Sequence, residues 1–491
     1  MRARRRGAAG TAALSMAGAL PHPVSVRGAA LAAAAAVCVV ACASPTEVTT
    51  PYEIPAAFSE PGTAPAAERW WQDLADPRVD ALIDEALAGN LGLQTAWDRL
   101  AQAQSLARRE GSLLFPSVDG TTEGQVAWAE GDDARSFGGN QASGFGRRDD
   151  FALGLVAAWE IDVFGRLRAA RDAARLDASA SAEDLRAVAL ALSARVATTW
   201  YELVEQRGQL QLLDEQIATN ARVEELVTLR FRMGQVSAAD VLRQRQLVEE
   251  RRGERVLVAS RAQVLAHQLA VLLGRPPAGS DFDATAALPA LPALPATGLP
   301  AELLARRPDV RRAYQQVLAA DRRLASARAD RYPRLALSAT AGLSSEELAD
   351  LVDNWIATLA AQIVAPIFDA GRRSAEVERT RAVVSERLHG YGDVVLVALQ
   401  EVEDALVRER QQRAFIASLD LQLELAQEAL LRIRDRYTKG AVLYLDVLAA
   451  LQSQQALSRN KLTAERDLVA VRIGLHRALS GGFASPAPPQ I

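Results

Sequence analysis

Few residues of this chain stand where side-chain chemistry needs them. Beyond the first forty or so positions only His267, His389 and His476 remain as histidines, and none falls in a metal-ligand or triad spacing. No phosphate-cradling glycine loop and no Gly-x-Ser-x-Gly occurs, and acidic pairs such as Glu249-Glu250 fit solvated helix faces. No catalytic group, cofactor or metal is therefore expected. Two carboxylates are singled out by position. Asp240 follows Gly234 by six residues, and Asp446 follows Gly440 by six. At the start of a helix such a carboxylate meets the positive end of the dipole.

The elements that carry these aspartates are copies of one another. Arg436-Tyr437-Thr438-Lys439-Gly440 leads to Asp446-Val447-Leu448, and Arg230-Phe231-Arg232-Met233-Gly234 leads to Asp240-Val241-Leu242, 206 positions earlier. Gly165-Arg166 matches Gly371-Arg372 at the same offset, whereas Pro116 matches Pro333 at 217, so the first copy carries 11 extra residues between Pro116 and Gly165. Repeats of this length decide the architecture. Each glycine lies between long apolar-periodic runs, where a helix needs a left-handed residue to turn back. Each motif predicts the tip of a helical hairpin.

The first repeat spans 76–274 and the second 301–480. In the first, Asp76 and Pro77 start a helix that runs to about Phe115, with Gly89 a tolerated weak point. Two long helices, 166–230 and 372–437, lead to tips at 231–236 and 438–442, with return helices at 237–273 and 443–479. Each long helix extends about 95 Å. Leu419, Leu423, Ala426, Leu430, Ile433 and Tyr437 step by 4-3-4-3-4, a coiled-coil seam. The first copy keeps Leu213, Ile217, Val227 and Phe231 in register but places Asn220 and Glu224 between them. Gly390 and Gly392 offer a place for the second long helix to bend.

After Pro116 and Pro333 the period changes from helical to alternating. Strands are predicted at 117–128 and 151–160, with a charged loop Gly131–Asp149 between them, and at 334–343 and 355–364. About ten residues is the length that crosses a bilayer as a tilted strand. Four strands cannot close a barrel, and open edges are not viable in lipid. If these strands meet lipid, several chains must share one barrel. The fold class is thus mainly α with a small β part.

The N-terminus predicts export. Arg27 precedes an apolar run, Ala29 to Ala41, too short to span a membrane but suited to a signal peptide over 1–41. Val39-Val40-Ala41-Cys42 is similar to the lipobox of bacterial lipoproteins, which makes Cys42 the acylated first residue. From Cys42 the chain has 51 basic against 60 acidic residues, a net charge near −9, and no basic stripe that would bind nucleic acid. Residues 42–75 read as a lipid-anchored tether, 275–300 as a proline-rich linker, and 481–491 as a mobile tail.

The lipobox, Trp70-Trp71, Gly298-Leu299-Pro300 with Arg306-Arg307-Pro308-Asp309, and the twin tips together resemble the TolC-like outer-membrane efflux proteins. Within them the chain is similar to the NodT-type lipoprotein channels of resistance–nodulation–division pumps. The resemblance implies a homotrimer in which twelve strands form one barrel in outer-membrane lipid and twelve helices form a periplasmic tunnel. It also implies a periplasmic adaptor protein, which meets the tips around Gly234, Asp240 and Gly440, and an inner-membrane transporter as partners. Tyr437 and Asp446 match the family's gate tyrosine and aspartate. Val442 and Ala449 stand where the family has an arginine and a second aspartate, so closure would depend on packing around Tyr437 and Leu445. A competing class is a lipid-anchored periplasmic coiled-coil scaffold without a pore, which would not need four alternating strands.

Overall fold

A computed structural model describes residues 48, 50, 52–63, 69–130, 145–279, 282–284 and 287–479. Cys42, the signal segment and the tail from 481 lie outside the described residues. Eight α-helices and four strands follow in order among the described residues: α1 (Pro77–Gly89), α2 (Leu91–Ser112), β1 (Ser117–Glu130), β2 (Phe145–Ile161), α3 (Arg166–Arg232), α4 (Ala238–Leu272), α5 (Pro300–Arg306), α6 (Pro308–Ala329), β3 (Arg334–Ser345), β4 (Trp355–Val364), α7 (Arg372–Thr438) and α8 (Tyr444–Leu479).

The strands form one antiparallel sheet in the order β1-β2-β3-β4, leaving β1 and β4 as open edges. The register sorts side chains by face. Leu153 pairs with Leu343 and that with Trp355; Ala157 pairs with Ala339 and that with Leu359; Ile161 pairs with Leu335 and that with Ile363. These apolar residues share one face because side chains alternate along each strand. The opposite face carries Asp119, Thr121 and Glu123 of β1 with Ser338, Thr340 and Thr358 across the sheet. β2 begins at Phe145, inside the loop expected up to Asp149, since Asp149 and Arg147 continue the ladder opposite Val126 and Trp128. The charged composition suggested a loop, but backbone pairing continues beyond the apolar band.

α3 and α7 each have 67 residues, about 100 Å of helix. α7 runs unbroken through Gly390 and Gly392, so these glycines do not end the helix; the Tyr52 hydroxyl donates to the Gly392 carbonyl instead. Along α7 the predicted seam holds, with Leu419 and Leu430 buried and Leu423, Ala426, Ile433 and Tyr437 half-buried.

Two expectations are corrected. The first helix breaks at Asn90 into α1 and α2 rather than running to Phe115. Asn90 caps α2 by accepting from the Leu93 N–H at 3.0 Å, while its amide donates to the Leu272 carbonyl at 2.8 Å. Gly89 marks the same close approach, because a Cβ there would lie 2.8 Å from the Leu273 carbonyl oxygen. The tether is also not free. Trp70–Leu74 forms a 3-10 turn with Trp70, Trp71 and Leu74 buried. Phe58 packs against Leu303, Val402, Leu406 and Leu475, and Ser59 bonds Glu403.

The linker is held likewise. Arg472 of α8 is fully buried, donates through Nε to Glu409 of α7 at 2.9 Å, and donates through Nη1 to the carbonyls of Pro292 and Ala293. Tether, linker and helices therefore form a packed belt midway along the long helices.

Candidate functional site: the hairpin tips

The two tips are built alike. At the first, the Gly234 N–H donates to the Phe231 carbonyl and the Gln235 N–H to the Arg230 carbonyl, both at 2.9 Å. At the second, Gly440 donates to Tyr437 at 3.1 Å and Ala441 to Arg436 at 2.9 Å. Gly234 and Gly440 have φ of +71° and +73°, and a Cβ at either would meet nothing within 4 Å. The backbone conformation, not lack of space, demands glycine there.

The two aspartates also do the same local work. Asp240 accepts from the Ser237 N–H at 3.1 Å and completes a capping box. Asp446, exposed, accepts from the Leu443 N–H at 3.0 Å. Each satisfies a backbone donor at a helix start. Tyr437 is half-buried against a cluster of Val227, Val241, Leu247, Tyr444 and Leu448, with the Arg230 guanidinium 4.6 Å from its ring centroid. Its hydroxyl is buried and has no hydrogen-bond partner among the described residues.

Leu445, expected to pack beside Tyr437, is half exposed. The buried neighbour is Tyr444, whose ring centroid lies 6.0 Å from that of Tyr437. One position along a helix turns the side chain by about 100°, which moves the packing role from 445 to 444. The Tyr444 hydroxyl donates to Gln244 Oε1 at 2.5 Å, and burial pushes its phenol above the ordinary range. Gln244 in turn donates to the Asn220 carbonyl at 2.7 Å, and Asn220 exchanges two amide hydrogen bonds with Gln455, at 3.2 and 3.3 Å. The only signal of this network in the sequence is Asn220 at an otherwise apolar seam position.

The arginine-proline motif lies far from the tips. Arg307 is buried and donates to Asp309 at 2.7 Å, to Glu401 at 2.7 Å and to the Ala478 carbonyl at 3.1 Å. It ties the start of α6 to α7 and the end of α8. Burial opposes the charge on Asp309, but the Arg307 guanidinium outweighs it and holds that carboxyl below the usual range. Pro308 occupies the first turn of α6, where its missing N–H costs nothing. Arg306 is exposed and reaches only Glu302, at 3.6 Å. No group of residues able to hold a metal occurs among the described residues.

A four-stranded sheet with one apolar face and open edges, set on two long helical hairpins, is the protomer of a shared barrel and tunnel. The chain belongs to the outer membrane efflux protein family, whose pattern matches residues 82–275 and 299–481. It is an outer-membrane efflux channel and has the protomer fold of the trimeric TolC-like channels. It is similar to the pyoverdine export outer membrane protein OpmQ of Pseudomonas putida, at 30% identity over 91% of this chain and 96% of that one. It is similar also to the cation efflux system protein CusC of Escherichia coli K12, at 27% identity over 84% and 88%. Among solved structures, the outer-membrane channel OprN superposes with a TM-score of 0.81 at 25% identity, covering 90% of this chain and 99% of that one. The open-state MtrE channel of Neisseria gonorrhoeae gives 0.77 at 25% identity, covering 90% and 99%.

Proposed function

We propose that three copies of this chain form a passive export duct, lipid-anchored through Cys42, which receives cargo from an inner-membrane transporter through a periplasmic adaptor docked on the tips around Gly234, Asp240 and Gly440. The observation that carries this reading is the sheet: one face carries an apolar band from Leu153, Leu343 and Trp355 to Ile161, Leu335 and Ile363, the other gathers polar side chains such as Asp119, Thr121, Thr340 and Thr358, and both edges are unpaired. Lipid tolerates no open edge, so the strands require other copies, and the polar face then lines water. The duct supplies a wall and a constriction, while the transporter supplies the energy and most of the selection. Relatives of this fold are named for pyoverdine, toluene and cation export, which fits a lumen that selects little.

The constriction is assigned to the second tip, with Tyr437 packing the joint and Asp446 presenting a ring of three carboxylates. Rings of like charge set cation preference in a pore. The helix-start bond occupies one Asp446 oxygen and is compatible with that role. Purified protein in planar bilayers tests both parts. Wild-type trimers should conduct with cation preference; Asp446→Asn should reduce that preference with little change in closed fraction, and Tyr437→Ala should raise resting conductance. Unchanged selectivity in a normally conducting Asp446→Asn channel would leave Asp446 as a helix-start residue alone.

A further inference from the structure

Beneath the apolar face of the sheet lies a cationic pocket that the duct does not use. Trp159 stands on that face, and its indole donates to the Leu114 carbonyl at 2.9 Å, which ties the end of α2 directly under it. There α2 and α3 flank an open pocket of about 440 Å³. Its walls carry three arginines, Arg108, Arg171 and Arg175, and no carboxylate, with Leu114 and Phe115 on the side toward the sheet. Arg171 is held in place. Its stem crosses α2 at Gly111, where a Cβ would lie 3.7 Å from its Cγ and Cδ, and its guanidinium bonds Asp172 at 2.7 Å. Arg108 reaches only the Ser105 hydroxyl, and Arg175 makes no ion pair among the described residues. Positive charge is left over. The helix repeat does not require these groups: at the offsets that relate the two copies, Arg108 and Arg171 correspond to Ala325 and Val377. Val377 sits instead in an apolar cluster with Ala320 and Leu324 of α6.

We propose that this pocket binds an anionic glycerophospholipid of the periplasmic leaflet, with Arg171, Arg108 and Arg175 around its phosphate and its acyl chains rising over Phe115 and Val118. The proposal rests on the apolar face meeting lipid, as read above, and owes nothing to the tips. Depth is the first support. Arg171 stands five residues into α3, about 8 Å below the start of that helix. Headgroups extend about 5–8 Å beyond the hydrocarbon on each side. Helix side chains lean toward the N-terminus, which for α3 means toward the membrane. Chemistry is the second support. Guanidinium forks match phosphate oxygens in pairs. A zwitterionic headgroup would bring an ammonium into a pocket whose walls offer no carboxylate to meet it. A free phosphate would leave the apolar wall unused, whereas acyl chains cover Phe115, 71% exposed, and Val118, which pairs with Ala157 on the apolar face.

Native mass spectrometry of purified full-length trimers tests this, with phosphatidylglycerol, phosphatidylcholine or inorganic phosphate added. Wild type should retain one phosphatidylglycerol per copy under conditions that strip phosphatidylcholine. Arg171→Gln should weaken phosphatidylglycerol binding about tenfold. Arg381→Gln, at the second copy's counterpart of Arg175, should leave it unchanged. Should Arg171→Gln fail to assemble, Arg175→Gln, at an exposed and unpaired position, reads the same pocket with a smaller loss. Equal retention of the two lipids, wild-type binding by an assembled Arg171→Gln trimer, or release of the lipid by millimolar inorganic phosphate overturns the assignment. Trimers that conduct normally yet bind no phosphatidylglycerol overturn the pocket and leave the duct standing. Trimers that retain the lipid in this pattern but never conduct fail the duct and support the pocket.

Discussion

His476 shows how burial alone can make a side chain sensitive to acid. Its ring stacks on Trp70 with centroids 5.6 Å apart, it is 5% exposed, and Asp73 Oδ2 lies 4.0 Å from Nε2. Burial, then Arg472, lower its pKa to about 4, while Glu409 opposes the shift. The folded chain therefore refuses a proton that the unfolded chain accepts at about 6.5. The contribution is complete above pH 6.5 and is lost as pH falls toward 4, by up to about 3 kcal/mol per protomer. His476→Gln should flatten the fall in the thermal dissociation midpoint between pH 6.5 and 4. An equal slope in wild type and variant would place the acid-sensitive group elsewhere.

At the scale of elements, the apolar sheet face sets the clearest test. Leu359 of β4 is 80% exposed in the protomer and lies on the face shared with Ala157 and Ala339. A cation at mid-bilayer on a barrel costs about 2–4 kcal/mol, and the copies multiply that cost. Leu359→Arg should abolish heat-resistant trimer on gels, whereas Thr358→Arg on the opposite face should be tolerated. Full assembly of Leu359→Arg would mean that this face does not meet lipid.

The strands, hairpins and seam were legible because alternation, the 206-residue offset and heptad spacing are properties of one chain segment. Asn90 and Gly89 were not, because their roles depend on the end of α4 lying against them. The Arg472–Glu409 pair was hidden for the same reason: nothing local distinguishes it from the many solvated arginines. At the tips the motif pointed to the right turn, but it favoured Leu445 over Tyr444. Which side of a helix is buried depends on a second helix that the motif does not contain.

For the whole molecule, the packed belt bears on what the proposed lipid anchor at Cys42 would be needed for. Phe58, Ser59 and Glu60 are fastened to α7 and α8, so this stretch is held by protein contacts whether or not Cys42 carries the proposed acyl group. One acyl chain anchors only marginally, whereas a closed barrel is effectively permanent. Cys42→Ala should therefore lose palmitate labelling yet still fractionate with the outer membrane. Recovery of the exported variant as soluble periplasmic protein would count against the barrel.

The unpaired edges of β1 and β4 also have a genetic consequence. A protomer with one damaged edge still offers a sound one, so it can join a growing ring and then fail to let it close. Such an allele would draw normal copies into dead assemblies rather than simply be missing, and would behave as dominant in a cell that carries both. Damage to the interior of a hairpin, which keeps a chain from folding at all, would be recessive.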